Sequence, residues 1–290
     1  MRPADILNML LLGAIWGGAF PLLRVATPAF GPVALIGVRV ALAAALLLPL
    51  LPGRRALLDR AGAYLVLGLI NTAIPFTLFS FATLSINAGL ASLLNATTPM
   101  FGALIAFAWL GERLSALRIV GIVIGFIGIG LIVATQSGAG AAGAPLGIAA
   151  GLVASVLYGL AASYARRRFD GRPALEVAAG SVCGATIVML PVTVWAWPAA
   201  VPAAGAWFSA LGLGAVCTAF AYVLYFRLLA SVGSARAVTV TFLIPVFGIL
   251  WGALLLHEPI TTSLLTGCAV VLFGTSLATG LVGPRAPRSG

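Results

Sequence analysis

Ten apolar runs, each close to one bilayer thickness in helical length, follow one another with almost nothing between them. They cover 5–26, 32–51, 62–82, 88–110, 116–134, 146–166, 174–196, 206–229, 235–256 and 262–282. A helix needs about 20 mostly apolar residues to span hydrocarbon. There every backbone N–H and C=O must find a partner inside the protein, so runs of this length fold as helices. With 62% hydrophobic and 8% charged residues, a chain of 290 residues lacks the charged surface of a soluble domain. The connections are short and carry Pro, Gly, Arg or Asp. None has room for a soluble domain.

The charges set the orientation. All sixteen basic residues are arginine, and the formal net charge is +10. Nucleic-acid binding is one reading of that charge, but the arginines fall in small clusters between apolar runs, which points to membrane topology instead. Ten spans put both termini on one side. That side takes Arg2, Arg54, Arg55, Arg60, Arg113, Arg118, Arg166, Arg167, Arg168, Arg172, Arg227, Arg236, Arg285 and Arg288, which is 14 of the 16. Arg24 is on the other side and Arg39 is inside the second span. The asymmetry predicts cytoplasmic termini. Trp195, Trp197 and Trp207 flank the outer 7–8 connection, where an aromatic belt is expected. The first run is longer than a signal core and reaches Val25 without a small-x-small cleavage site, so it reads as a retained span.

Cys183, Cys217 and Cys268 each lie mid-run, and no Cys-x-x-Cys or Cys/His cluster occurs. Neither a disulfide framework nor a metal site is expected. With His257 the single histidine and six acids scattered singly, paired acid–base catalysis has no raw material. No cofactor and no enzymatic role are expected.

The second half echoes the first. Ala91–Arg113 reads ASLLNATTPMFGALIAFAWLGER and Ala237–Pro259 reads AVTVTFLIPVFGILWGALLLHEP. At a shift of 146, Pro99 falls on Pro245, Phe101 on Phe247, Gly102 on Gly248 and Glu112 on Glu258. The same shift pairs Gly68 with Gly214, Phe76 with Tyr222 and Phe79 with Tyr225. Nearer the start the shift is 142, pairing Trp16 with Tyr158, Gly17 with Gly159 and Arg24 with Arg166. Two units follow, 1–145 and 146–290. Five spans each make the second enter the membrane upside down. Inverted repeats with broken helices place a substrate site at their interface near the midplane, as in transporters. The expected fold is an all-α integral membrane protein of ten helices, two inverted five-helix repeats around a central cavity.

These residues resemble a known family. The ten spans in two halves, Ile15-Trp16-Gly17 with Phe20, Pro32 with Arg39 and Ala43, and the proline-containing fourth and ninth spans ending in Leu110-Gly111-Glu112 and Leu256-His257-Glu258 are similar to the EamA-type members of the drug/metabolite transporter superfamily. The resemblance covers nearly the whole chain. It implies a transporter that moves small metabolites, commonly amino acids outward, across the bacterial inner membrane. Within the family the chain looks most like the YddG-type exporters of aromatic amino acids.

Candidate binding residues follow from the helix breaks. A proline frees the carbonyl four residues earlier. Pro75 frees that of Asn71, Pro99 that of Asn95 and Pro245 that of Thr241, each with a polar side chain. These groups either face a wet cavity or bond a neighbouring helix. Phe76 and Phe79, and their equivalents Tyr222 and Tyr225, are three residues apart and share helix faces. With Trp16 and Tyr158 they either wall a cavity for a flat or apolar side chain or pack against other helices and lipid. Arg39 is the deepest charge. It either attracts a substrate carboxylate or bonds helix carbonyls near the surface. Glu112 and Glu258 read as caps of the spans that follow them and anchors of gate loops. No Asp or Glu lies in mid-span, which disfavours cation–proton exchange. Gly13/Gly17, Gly121/Gly125, Gly147/Gly151 and Gly180/Gly184 are spaced for close helix packing within a monomer. The expected partners are a small-molecule substrate and membrane lipid, not nucleic acid. A multidrug or other metabolite exporter, and less readily a channel, remain as alternatives.

Overall fold

A computed structural model describes residues 2–51, 54–136 and 143–280; Arg285 and Arg288 lie outside them. The described residues form helices and no strand. The spans are α1 (Pro3–Phe30), α2 (Pro32–Leu50), α3 (Leu57–Ala82), α4 (Ala88–Leu110), α5 (Ala116–Gln136), α6 (Ala144–Arg168), α7 (Ala174–Trp195), α8 (Ala204–Val232), α9 (Val238–Leu256) and α10 (Thr262–Ala278). All ten sequence-derived spans appear. α1 continues four residues further than its apolar pattern suggested, through Pro21 and Pro28, and stops at Gly31, whose φ of 74° closes the helix.

Five spans are not continuous α-helix, α2 because it ends in a 3₁₀ turn at Leu48–Leu50. α3 widens into a π-helical stretch at Leu69–Ala73, and α8 does the same at Gly212–Phe220. α4 breaks between Asn95 and Thr98, and α9 begins as a 3₁₀ stretch, Val238–Phe242. Pro75, Pro99 and Pro245 each fall in the first turn of the α-helical piece after the irregularity. The donors beside these prolines bond into the irregular stretch, Ile74 N–H to the Leu69 carbonyl and Leu243 N–H to the Val240 carbonyl, so each missing proline N–H falls where the α-helical pattern is already interrupted.

The packing is symmetric under exchange of the halves. α1 lies on α9 as α6 lies on α4, α3 lies on α7 as α8 lies on α2, and α3 lies on α6 as α8 lies on α1. α2 pairs with its own equivalent α7, and α5 with α10. Glycine sets the closest crossings. A Cβ on Gly17 would lie 2.8 Å from the Gly248 nitrogen, and a Cβ on Gly159 would lie 2.7 Å from the Gly102 nitrogen. The two crossings are repeat equivalents. In lipid, where no hydrophobic effect drives helices together, close backbone approach supplies the van der Waals contact that holds them.

The periphery is apolar. Ile119, Val123, Ile127 and Leu131, four apart on α5, and Ile187, Leu190 and Val194 on α7 are all at least half exposed. Such stripes suit hydrocarbon, not water. Trp197 and Trp207 pack edge-on against Phe30 with centroids 6.2 and 4.9 Å away, and Trp195 faces outward at the end of α7.

Candidate functional site

The aromatic residues meet across the two halves. Trp16 on α1 contacts Tyr225 on α8, with centroids 5.4 Å apart. Its repeat mate is the stacked pair Tyr158 on α6 and Phe79 on α3, at 6.1 Å. Phe76 meets Tyr158 edge-on at 6.5 Å, and Phe79 packs edge-on with Phe20 at 5.6 Å. Each contact joins one half to the other, or sits beside one that does. Phe76 and Phe79 are buried, and Trp16, Tyr158, Tyr222 and Tyr225 are half-buried.

Arg39 lies at the edge of this cluster and is 5% exposed. Its guanidinium sits over the Phe76 ring, 3.8 Å from the centroid, in a cation–π contact. Its Nε donates to Thr218 Oγ1 at 2.9 Å, and Thr218 donates to the Leu213 carbonyl at 2.8 Å. Leu213 is five residues back, a spacing opened by the π-helical stretch of α8. Tyr158 and Tyr222 lie within electrostatic range of the guanidinium. The mate of Arg39 at the 142 shift is Ser181, and the mate of Thr218 at the 146 shift is Thr72. These two also touch, Oγ to Oγ1 at 3.0 Å. One junction therefore carries a cation and the other only neutral groups, the Asn71 amide among them.

The three residues whose carbonyls precede the prolines separate. Asn71 donates to Ser181 Oγ at 3.2 Å, tying α3 to α7. Thr241 donates back to the Val238 carbonyl at 2.8 Å within its own turn. Asn95, half-buried at the break in α4, takes no hydrogen-bond partner among the described residues. Pro75 and Pro245 are buried and Pro99 is half-buried.

Among the described residues, the sealed polar side-chain atoms without a partner are Thr98 Oγ1 and Thr193 Oγ1. The Asn95 amide, the hydroxyls of Tyr158, Tyr222 and Tyr225, and the terminal nitrogens of Arg39 make no hydrogen bond among the described residues. A buried polar group left without a partner costs free energy, and Arg39 lies within electrostatic range of Tyr158 and Tyr222, so these three offer a polar ligand or water several bonds.

The two ends of the bundle differ. At one end Glu258, whose side chain is 10% exposed, pairs with Arg24 at 3.1 Å. It also accepts from Ala88 N–H at 2.9 Å and Gly89 N–H at 3.4 Å, the first donors of α4. Arg24 reaches on to the Ile86 carbonyl at 2.6 Å. The pair thus clasps the turn between α3 and α4. At the other end the repeat mates Glu112 and Arg166 also pair, but with side chains 35% and 65% exposed. They line an open cavity of about 500 Å³ with Trp109, Leu110, Arg167 and Asp170. Both glutamates follow a left-handed residue closing the preceding helix, Gly111 (φ 71°) and His257 (φ 55°), and their N–H groups bond back to Ala106 and Gly252.

This corrects one expectation. Glu258 caps the start of α4, not of α10, whose cap is Thr261 accepting from Leu264 N–H at 3.2 Å. Sequence reasoning also did not single out Arg24 or Thr218 as functional, although Arg24 already carried a signal in its alignment with Arg166. No cluster of three or more His, Cys, Asp or Glu able to hold a metal occurs among the described residues.

Comparison with known proteins agrees with this architecture. The model of the EamA-like transporter family matches twice, over residues 4–134 and 145–280. The chain is 27% identical to the uncharacterized transporter YvbV of Bacillus subtilis (strain 168), over 93% of this chain and 89% of that protein. It is 24% identical to an uncharacterized transporter of Archaeoglobus fulgidus, over 89% and 92%. A crystal structure 19% identical superposes with a TM-score of 0.67 over 97% of this chain and 98% of that one.

Proposed function

Since the chain belongs to the EamA-like transporter family, we propose that it exports small metabolites across the inner membrane, specifically amino acids with aromatic or apolar side chains. It does so as a monomer by alternating access between two inverted units, 1–145 and 146–290, with both termini cytoplasmic. The observation that carries the substrate reading is the cross-half aromatic cluster, Trp16–Tyr225 and Tyr158–Phe79, beside the Arg39 guanidinium on the Phe76 ring. A small-molecule pocket combines such an apolar wall with a few polar points.

Alternating access draws its support from the ends. A buried clasp at Glu258 and an exposed pair at Glu112 are what one state of a two-state carrier requires: one end shut, the other open. With cytoplasmic termini, the Glu112 end faces the cell interior, and the described state is loaded from within. The spans offer no mid-span carboxylate for a proton relay, so the substrate moves down its own gradient. A non-amino-acid metabolite or a drug is the second reading, favoured only by the breadth of the family.

The test is uptake into proteoliposomes holding the purified protein, with phenylalanine, leucine, a lipophilic drug cation and a nucleotide sugar. Saturable exchange of phenylalanine or leucine is expected. Exchange of the cation or the sugar nucleotide alone would reject the amino-acid reading.

A further inference from the structure

We infer that Arg39 binds the carboxylate of the substrate, so that a negative group on the cargo is obligatory; this rests on the transport reading above. A cation this deep is costly and is normally met by a partner. Arg39 has none of opposite charge among the described residues. Its contacts are the Phe76 face and the Thr218 hydroxyl, and both leave the terminal nitrogens free to bond.

The internal symmetry argues against a purely packing role. The equivalent junction, Ser181 against Thr72, joins the equivalent helices of the opposite half through neutral groups, the two hydroxyls and the Asn71 amide. A charge is therefore not required to join these helices, and the Arg39 fork of donors fits a planar carboxylate. Thr218 fixes the Nε side of the fork and Phe76 fixes its plane, so the remaining donors are held in place beside the aromatic cluster. The aromatic cluster begins one ring away at Phe76 and Tyr158, within reach of a side chain whose carboxylate sits on Arg39.

Binding to the protein in lipid nanodiscs tests this with L-phenylalanine, 3-phenylpropionate and phenethylamine, which share the ring and differ in charged groups. Both acids are expected to bind, and the amine at least about tenfold more weakly, as for a lost close charge pair. Arg39→Ser, which copies the opposite junction, should weaken both acids by about tenfold or more while leaving the unfolding temperature close to that of the parent. An amine that binds as tightly as the acids, an R39S variant that folds and keeps its acid affinity, or failure of both acids to bind would each overturn the assignment. If R39S does not fold, the ligand series on the parent protein decides alone. If 3-phenylpropionate binds in an Arg39-dependent way and phenylalanine does not, the anion site stands and the amino-acid reading falls.

Discussion

Neutralising Glu258 should open the end of the bundle that it closes. In the described state its carboxylate accepts from Ala88 N–H at 2.9 Å and Gly89 N–H at 3.4 Å and is almost shielded from water. Glu258→Gln keeps the shape but exchanges charged acceptors for neutral ones. That difference is about 1 kcal/mol for a well-formed bond, and less for the long one to Gly89. The Arg24 partner is 38% exposed, so solvent screening holds the ion pair itself to well under about 1 kcal/mol. Together the clasp loses about 2 kcal/mol relative to a state in which Glu258 meets water. Since about 1.4 kcal/mol is tenfold, the opened state should gain about thirtyfold in relative population. The assay is the labelling rate of a single cysteine at position 95, in a background lacking Cys183, Cys217 and Cys268, by an impermeant reagent added on the Glu258 side. Labelling should quicken by an order of magnitude or more. A rate within about twofold of the parent, in protein that still unfolds cooperatively, would refute the clasp. Glu112→Gln is the control: its pair is exposed and worth about 0–1 kcal/mol, so labelling from that side should barely change.

Further outcomes are expected elsewhere. Phe79→Ala and Tyr225→Ala, mates in the two cross-half contacts, should each cut phenylalanine exchange in proteoliposomes severalfold; normal exchange in both would remove the aromatic cluster from the site. His257→Gly relieves a left-handed backbone that a side chain tolerates poorly, and should stabilise the protein by about 0.5–1 kcal/mol, read as a raised unfolding temperature, whereas His257→Val should lower it. Gly17→Ala drives a methyl to within 2.6 Å of the Phe247 Cβ, and overpacking of this kind costs about 1–3 kcal/mol; an unchanged unfolding temperature would show that the crossing is looser than described. Exchange should persist when the pH gradient is collapsed by an ionophore, and strict dependence on that gradient would contradict transport without a carboxylate relay.

Much of the fold was legible because hydrocarbon allows few solutions. Ten runs of the right length had to be helices, and the coincidence of Pro99 with Pro245 and Glu112 with Glu258 displayed the repeat. The site was less legible. Asn71, Asn95 and Thr241 look alike in sequence, each four residues before a proline. In space one braces α7, one folds back on its own turn and one stays free. Which of these occurs depends on what the neighbouring helix presents, and a single chain read linearly does not carry that. Glu258 was misplaced for the same reason. Proximity to α10 suggested that cap, but Ala88, 170 residues away, holds the stronger claim.

The widened turns in α3 and α8 carry a consequence for how such a chain can vary. A π-helical stretch accommodates one residue beyond an α-helical count, and one residue turns a helix by about 100°. Tyr222 and Tyr225 lie just past the stretch in α8, and the widened turn absorbs the extra residue so that they keep their bearing toward Trp16. Deleting a single position between Gly212 and Phe220 would leave the span long enough and apolar enough for the membrane, yet would close the five-residue spacing by which Thr218 bonds the Leu213 carbonyl while it holds Arg39. Length and hydropathy alone would not reveal the loss.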